Sequence, residues 1–546
     1  MSHTSVRGSE RRPLPGAIAT GPANAHATIE VSLKLRRMKS LPGLTMRPAM
    51  FMTRKQLADS YGASQADIDT TVHTFSKLGL KAVEANAATR TVRLSGTVAA
   101  MEAAFQVKLF SYSHESGFYR GRVGSVNVPS SVKDIVQGVF GLDNRRVARQ
   151  RRQPAHDKTS PSLASVPSAW YVPSELATHY EFPLGDGAGQ TIGLLEFGGG
   201  YFHADLKKFC ALAGIAIPPT VIAISTDGTP TDSRDGAEGE VMLDIEVVAG
   251  ICPKANIAVY FAHWGEQGWL TALDAAVQDQ TNNPGVLSVS WGNAEDNDIW
   301  TVSAMTQVNE TLQEAALLGI TVCVAAGDDG SSDAVTDGLA HVDFPSSSPF
   351  VLSVGGTTIP VKGGSGPDIA WKEGDGLRAD NGGCGGGGVS AMFTRPAWQS
   401  GIAINPVNPG AILGRVIPDV SANADWNASP YLLVVDSKSQ PNGGTSAASP
   451  LMASLLTLIN AQQISAGGNR MGYVTPVLYQ TVKAGGMTVG AAGCTDIVSG
   501  DNITDQTGGY SASPGYDAVS GWGTPNGVAL AAALSAAIPA TAQPAM

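Results

Sequence analysis

The run Gly443-Gly444-Thr445-Ser446-Ala447-Ala448-Ser449-Pro450 leads into an apolar stretch, Leu451-Met452-Ala453-Ser454-Leu455-Leu456, and offers a hydroxyl for nucleophilic chemistry. Glycines let a backbone approach a substrate closely, and a serine where a tight turn enters a helix stands exposed beside unpaired helical N–H donors. Acyl transfer needs that combination. The segment also reads as a plain helix start, because Thr and Ser are good N-caps. Taken alone it fits either reading.

A serine hydroxyl is a weak nucleophile without a base, and the usual base is a histidine held by an aspartate. The nine histidines are His3, His26, His73, His114, His156, His179, His203, His263 and His341, and none stands in a His-Gly-Thr-His setting. A histidine triad is therefore poorly supported. Carboxylates offer another base. In Gly239-Glu240-Val241-Met242-Leu243-Asp244-Ile245-Glu246-Val247-Val248 the helical period puts Glu240 and Asp244 on one face. On a solvated helix two such charges merely repel. In a cleft they share a proton, one serving as base and the other as its support. Asp328, within Ala325-Ala326-Gly327-Asp328-Asp329-Gly330, could stay protonated and donate to an oxyanion, although an Asp beside Gly also suits an Asx turn.

These residues need a scaffold that brings them together. From Gln190 onward, short β-rich runs (Thr191 to Glu196, Ile257 to Phe261, Val286 to Ser290, Thr321 to Ala326, Tyr431 to Val435) alternate with helical stretches such as Gly239 to Ala249 and Ser303 to Leu318. The alternation predicts an α/β domain with a mostly parallel sheet flanked by helices on both faces, whose ligands gather at the carboxyl ends of the strands. Glu196-Phe197-Gly198-Gly199-Gly200, Trp291-Gly292-Asn293 and Gly327 to Gly330 fall at such ends, and no G-K-[ST] follows them to make a phosphate loop. The glycine run 385–388 reads as a flexible loop beside a cleft.

The N-terminal part is different. Residues 1–45 read as an N-terminal extension in which Val31 to Leu35 alternates like a strand. A small α+β unit follows over 46–143: a helix capped by Ser64, hairpin strands Lys81 to Glu84 and Thr91 to Leu94, a helix opened by Thr97, and strands within Val107 to Tyr112 and Arg120 to Val128. Residues 144–163 are basic, polar and Pro-bearing, which predicts an exposed linker open to proteolysis. The peptide then continues as one domain over 164–546.

Charge divides the chain the same way. Residues 1–163 hold 24 of the 36 Lys+Arg and 11 of the 47 Asp+Glu, a net of +13, which leaves −24 for 164–546. The two parts should attract each other, and the acidic part should be relieved of self-repulsion in acid. The basic part lacks a zinc-finger spacing or other nucleic-acid motif. The five cysteines (Cys210, Cys252, Cys323, Cys384, Cys494) are widely spaced and make neither a zinc site nor a disulfide framework. No run is long enough for a membrane span, and no signal-peptide core is evident.

Together the motifs G-E-V-M-L-D-I-E-V, A-A-G-D-D-G and G-G-T-S-A-A-S-P resemble those of the sedolisin family of serine-carboxyl peptidases in full-length pro-form, with further matches at Leu195 to Tyr201, Val289 to Gly292, His341 to Pro345 and Pro418 to Ser421. The resemblance implies a subtilisin-like catalytic domain behind an activation prodomain. It implies Ser446 as nucleophile, Glu240 as general base and acid, Asp244 as its support and Asp328 as oxyanion donor. Glu196 and Trp291 would extend the network, Asp343 would favour a basic side chain in one substrate subsite, and Asp496, Ile497, Ser513, Gly515 and Asp517 would bind one Ca2+. The expected protein is an acid-active, self-processing, secreted monomeric endopeptidase acting on protein or peptide substrates and inhibited by its own prodomain, with no nucleic-acid or membrane partner. A histidine-dependent subtilisin-like protease and an inactive subtilisin-like binding protein are the alternatives.

Overall fold

The computed structural model describes residues 2–150, 165–364, 366–380, 382–482, 486–504 and 507–538. In the basic N-terminal part, strand β1 (Thr28–Leu35), helix α1 (Gln65–Ser76), strands β2 (Lys81–Asn86) and β3 (Thr91–Thr97), helix α2 (Val98–Phe105) and strand β4 (Val136–Phe140) build one antiparallel sheet of order β2-β3-β1-β4. The helix starts follow from the sequence: the side chain of Ser64 accepts from the Asp67 N–H and that of Thr97 from the Ala100 N–H. The core is apolar and shared, with Val31, Leu33, Phe75, Leu94, Met101 and Phe105 packed together.

Here the expected boundary at residue 45/46 fails. The segment read as an extension supplies β1, which lies between β3 and β4 as a central strand, and its Val6 joins the same core. A strand alternating Val31, Leu33 and Leu35 toward one face must bury that face, and the neighbouring hairpin provides the cover.

The linker contains strand β5 (Arg149–Gln150). The larger part then forms β6 (Thr191–Phe197), β7 (Val221–Ser225), α3 (Glu238–Ile251), β8 (Asn256–Ala262), α4 (Glu266–Gln278), β9 (Val286–Val289), β10 (Trp291–Ala294), α5 (Val302–Leu317), β11 (Thr321–Ala325), β12 (Asp343–Phe344), β13 (Leu352–Thr358), β14 (Ile369–Ala370), β15 (Val420–Asn423), β16 (Tyr431–Val435), β17 (Lys438–Asn442) and α6 (Thr445–Ser465). The main sheet runs β7-β8-β6-β9-β11-β13-β14 with β15 also on β13, and every pair is parallel except β13 with β14.

Alternate residues of its strands face two separate cores. Ile192 and Leu194 pack with α3 and α6, while Leu195 and Phe197 pack with residues of α4 and α5. The predicted flanked sheet is thus present, with one exception: Tyr431–Val435 pairs antiparallel with β17 instead of joining it. The glycine run 385–388 also departs from expectation. It is buried, the Gly386 N–H donates to the Gly327 carbonyl, and a Cβ on Gly386 would lie 2.1 Å from the Ala326 carbonyl oxygen. These glycines serve close packing rather than mobility.

The charge asymmetry has a structural counterpart in how the two parts meet. Lys34 of β1 is paired with Asp274 of α4; Arg37 stands 2.6 Å from Glu314 and 3.1 Å from Glu310 of α5; Arg90 is 2.9 Å from Glu310 and Arg11 2.8 Å from Glu266. Burial lowers the Lys34 pKa, and the Asp274 carboxylate works against that fall. Among the described residues, no helix is long and apolar enough to cross a membrane.

Candidate active site

Ser446 is the second residue of α6. Gly444, the residue before the helix, has φ 92°, a left-handed conformation that suits glycine, and a Cβ on Gly443 would lie 2.5 Å from the Ala424 carbonyl oxygen. The pair of glycines therefore seats the helix start deep against Ala424, and Ser446 is fully buried rather than exposed as the sequence suggested. Pro450 adds a further constraint. It has no N–H to donate to the carbonyl four residues back, which belongs to Ser446. Ser290 lies opposite that oxygen, its Oγ at 3.2 Å, and the Ser446 hydroxyl lies 3.5 Å from the Ser290 carbonyl oxygen.

The acidic residues converge from two strand ends and one helix. Glu240 and Asp244 are fully buried in α3, which packs along α6. Both oxygens of Asp244 face Ser290 Oγ, at 2.9 and 2.8 Å. Glu196, near the end of β6, accepts a hydrogen bond from Trp291 Nε1 at 3.0 Å. Burial first, and then the neighbouring carboxyls of Glu196 and Glu240, push the Asp244 pKa well above the usual range. Burial and Glu240 do the same to Glu196, with the Trp291 indole partly opposing. Asp328 follows β11, and its Oδ1 accepts from the Thr445 N–H at 2.8 Å and the Thr445 hydroxyl at 2.6 Å. Thr445, the residue before Ser446, thus holds Asp328 through both its N–H and its hydroxyl.

The linker enters this site as a strand. Arg149 pairs with Gly292 and Gln150 with Trp291, antiparallel, so that β5, β10 and β12 form a small sheet. Arg145, Val147 and Ala148 are buried, which corrects the picture of an exposed linker over this stretch; the backbone of β10 offers an edge that an extended chain satisfies. The expected processing junction, between about Gln153 and Ser168, lies outside the described residues as far as residue 164. Asp343 of β12 is buried against β10, close enough that a Cβ on Gly292 would meet its Oδ1 at 2.0 Å.

The described histidines of the larger part are engaged elsewhere. His179 lies 3.1 Å from Asp368, His203 2.9 Å from the Tyr201 hydroxyl, His263 3.0 Å from Asp227, and His341 lies between Asp296 and Asp337 at 2.6 and 2.9 Å. Ser290, Thr445 and Asp329 were not singled out from the sequence as site residues. Pro450, four residues beyond Ser446, was the available signal that another donor must serve the Ser446 carbonyl.

Near the C-terminus, Asp496 Oδ2 accepts from the Gly515 N–H at 2.8 Å, and Asp517 accepts from the N–H groups of Ser513, Val519 and Ser520 at 2.9, 2.9 and 2.8 Å. Two carboxylates thereby meet one turn, with Ile497 buried beneath. The donor set fits a hard cation that accepts carboxylate and carbonyl oxygen, and burial raises the Asp517 pKa, a cost that a bound cation would offset. Among the described residues no three His, Cys, Asp or Glu side chains gather as a metal-binding group, so main-chain oxygens would have to supply most ligands.

Residues 17–145 match the family model described as Pro-kumamolisin, activation domain, and residues 220–504 match that of the Subtilase family. The first span takes in β1, as the sheet requires. The chain is 39% identical to kumamolisin of Bacillus sp. (strain MN-32), covering 98% of this chain and 97% of that one. It is 28% identical to sedolisin of Pseudomonas sp. (strain 101), covering 92% and 86%. Among solved structures, Pseudomonas sedolisin, a serine-carboxyl proteinase complexed with pseudo-iodotyrostatin, superposes with TM-score 0.57 at 26% identity over 67% of this chain and 98% of that one.

Proposed function

The chain belongs to the sedolisin family of serine-carboxyl peptidases, and from that premise we propose which of its residues carry the reaction and how the pro-form is held and released. It is a serine peptidase acting on protein or peptide substrates, made with an activation domain that inhibits it intramolecularly.

Ser446 Oγ attacks the scissile carbonyl carbon while Glu240 takes its proton. Asp328, fixed through Oδ1 by Thr445, donates from its other oxygen to the developing oxyanion. Glu240 returns the proton to the departing amine, then removes one from water for deacylation. Asp244 positions Glu240, and Glu196 with Trp291 supports the network from behind. The observation that carries this reading is the set of buried carboxyls, two with strongly raised pKa values, around a serine at a helix start. A histidine with its ordinary pKa near 6.5 would be protonated at about pH 4, whereas a glutamate remains balanced there. Asp343 of β12, which lies across β10 from the linker strand, would favour a basic side chain in one subsite.

The division we adopt is a pro-part through about residue 163, comprising the activation domain and the linker, followed by the peptidase domain. Asp496 and Asp517, with the carbonyls of Ile497, Ser513 and Gly515, would hold one Ca2+, which when bound would brace the C-terminal turn. An extracellular, monomeric enzyme suits an acid-working peptidase kept inactive by its own prodomain. The test is to incubate the purified full chain at about pH 4 and sequence any new N-terminus. Cleavage between residues 153 and 168 that Ser446→Ala and Glu240→Gln both abolish is expected. Processing that persists in Glu240→Gln would reject the carboxyl base.

A further inference from the structure

The linker strand carries a side-chain contact that its backbone pairing does not require. The N–H groups of Val147 and Ala148 both donate to the Trp264 carbonyl, at 2.9 and 3.0 Å, and Asn293 Nδ2 donates to the Val147 carbonyl at 3.2 Å. Downstream, Arg149 aligns with Gly292 on β10. Such contacts are made to main chain and would hold any extended peptide. Arg149 adds a specific one: its Nη2 donates to Asp333 Oδ1 at 2.7 Å and to the Asp333 carbonyl at 3.0 Å.

The receiving group is built rather than incidental. Asp333 is 3% exposed and has φ 45°, a left-handed conformation in which both its carbonyl and its carboxylate meet the same guanidinium. Asp329, 2% exposed, stands 3.6 Å from Arg149 and is itself fixed by Arg378, whose Nε donates to it at 2.8 Å. The pocket continues into a cavity of about 780 Å³ whose wall includes Asp296, Asp298 and Asp337. Burial opposes ionisation of Asp329, but the guanidinium groups of Arg378 and Arg149 prevail and hold its carboxyl well below the usual range. Asp329 is therefore ionised between Arg378 and Arg149.

We infer that Asp333, backed by Asp329, is a specificity-determining residue that receives an arginine or lysine of a substrate strand lying along Trp291–Ala294, and that Arg149 fills this subsite in the full-length chain. The inference rests on the peptidase reading above and deepens it, by naming a substrate class: peptides with a basic residue at the position aligned with Gly292.

The test uses the full chain after acid activation. Peptides that differ only by Arg, Gln or Glu at successive positions before the cleaved bond are offered together, and the cut bonds are mapped by mass spectrometry. At one fixed position, kcat/KM with Arg should exceed that with Glu by about tenfold or more, and Asp333→Asn should collapse this ratio toward unity. Equal rates for Arg and Glu at every position in the unaltered protein would overturn the subsite, whether or not the variant folds. A ratio that survives Asp333→Asn would overturn it as well. Failure to cleave any peptide would instead reject the peptidase reading beneath it.

Discussion

The hydroxyl of Ser290 lies 2.9 and 2.8 Å from the two carboxyl oxygens of Asp244, and 3.2 Å from the carbonyl oxygen of Ser446. One hydroxyl proton cannot serve all three. The raised Asp244 pKa resolves this: protonated Asp244 donates to Ser290 Oγ, and the Ser290 proton is then available to the Ser446 carbonyl that Pro450 leaves without its helical donor. A single serine thereby couples the protonation of the acid pair to the seating of the nucleophile.

Ser290→Ala is expected to lower kcat about 10- to 100-fold, because it loosens both partners. It also removes the hydrogen bond between Ser290 and Asp244, so the pH profile of kcat/KM should shift. Ser290→Thr, which keeps the hydroxyl, should restore much of the rate. An unchanged pH profile with reduced stability alone would confine Ser290 to packing.

Ser446→Ala should reduce peptide hydrolysis by roughly 10³-fold or more and leave the full chain uncut in acid. The parent activity should decline toward neutral pH as the carboxyl network ionises. Full activity at about pH 8 would be incompatible with carboxyl catalysis.

Stability should follow the buried acids with a definite sign. Glu196 has a folded pKa raised above its unfolded value by burial and Glu240, so the folded chain binds the proton more tightly. Stability is then fullest below the unfolded value and falls as pH rises toward the folded one, at about 1.4 kcal/mol for each tenfold change in proton affinity. Glu196→Gln should raise the Tm at neutral pH by an amount corresponding to about 1 kcal/mol or more, and leave it nearly unchanged in acid. Parallel melting curves for both proteins across pH would refute that assignment.

Prodomain docking should depend on Asp274. Removing one partner of a buried pair costs about 3–5 kcal/mol because the other charge is left in low dielectric, here the Lys34 ammonium. Asp274→Asn should therefore shorten the lag before peptide-hydrolysing activity appears at mildly acidic pH. A lag equal to that of the parent would mean that this pair does not hold the pro-part.

Removal of calcium should lower the Tm of the full chain, and Asp517→Asn should abolish the difference between chelated and calcium-supplied samples. Chelator that leaves the melting temperature unchanged would argue that the turn at Asp496 and Asp517 stands on its hydrogen bonds alone.

Much of this was legible along the chain because it is set by near neighbours. Caps at Ser64 and Thr97, the run Thr191–Phe197 and the glycines before Ser446 each announce their local structure through side-chain chemistry within a few residues. The sequence also determined the chemical inventory: a serine at a helix start, a carboxyl pair one turn apart, an aspartate at a strand end, and two parts of opposite charge. Tertiary structure decided what these groups experience. Ser290 and Ser446 are 156 positions apart, and Arg149 meets Asp333 across 184, distances at which no local pattern specifies a partner. The same holds for β1, whose alternation announced a strand but not its place at the centre of a sheet. Burial of Ser446 and the raised pKa values around it likewise arise only when several elements exclude water together, because desolvation belongs to the packed assembly and not to any one segment.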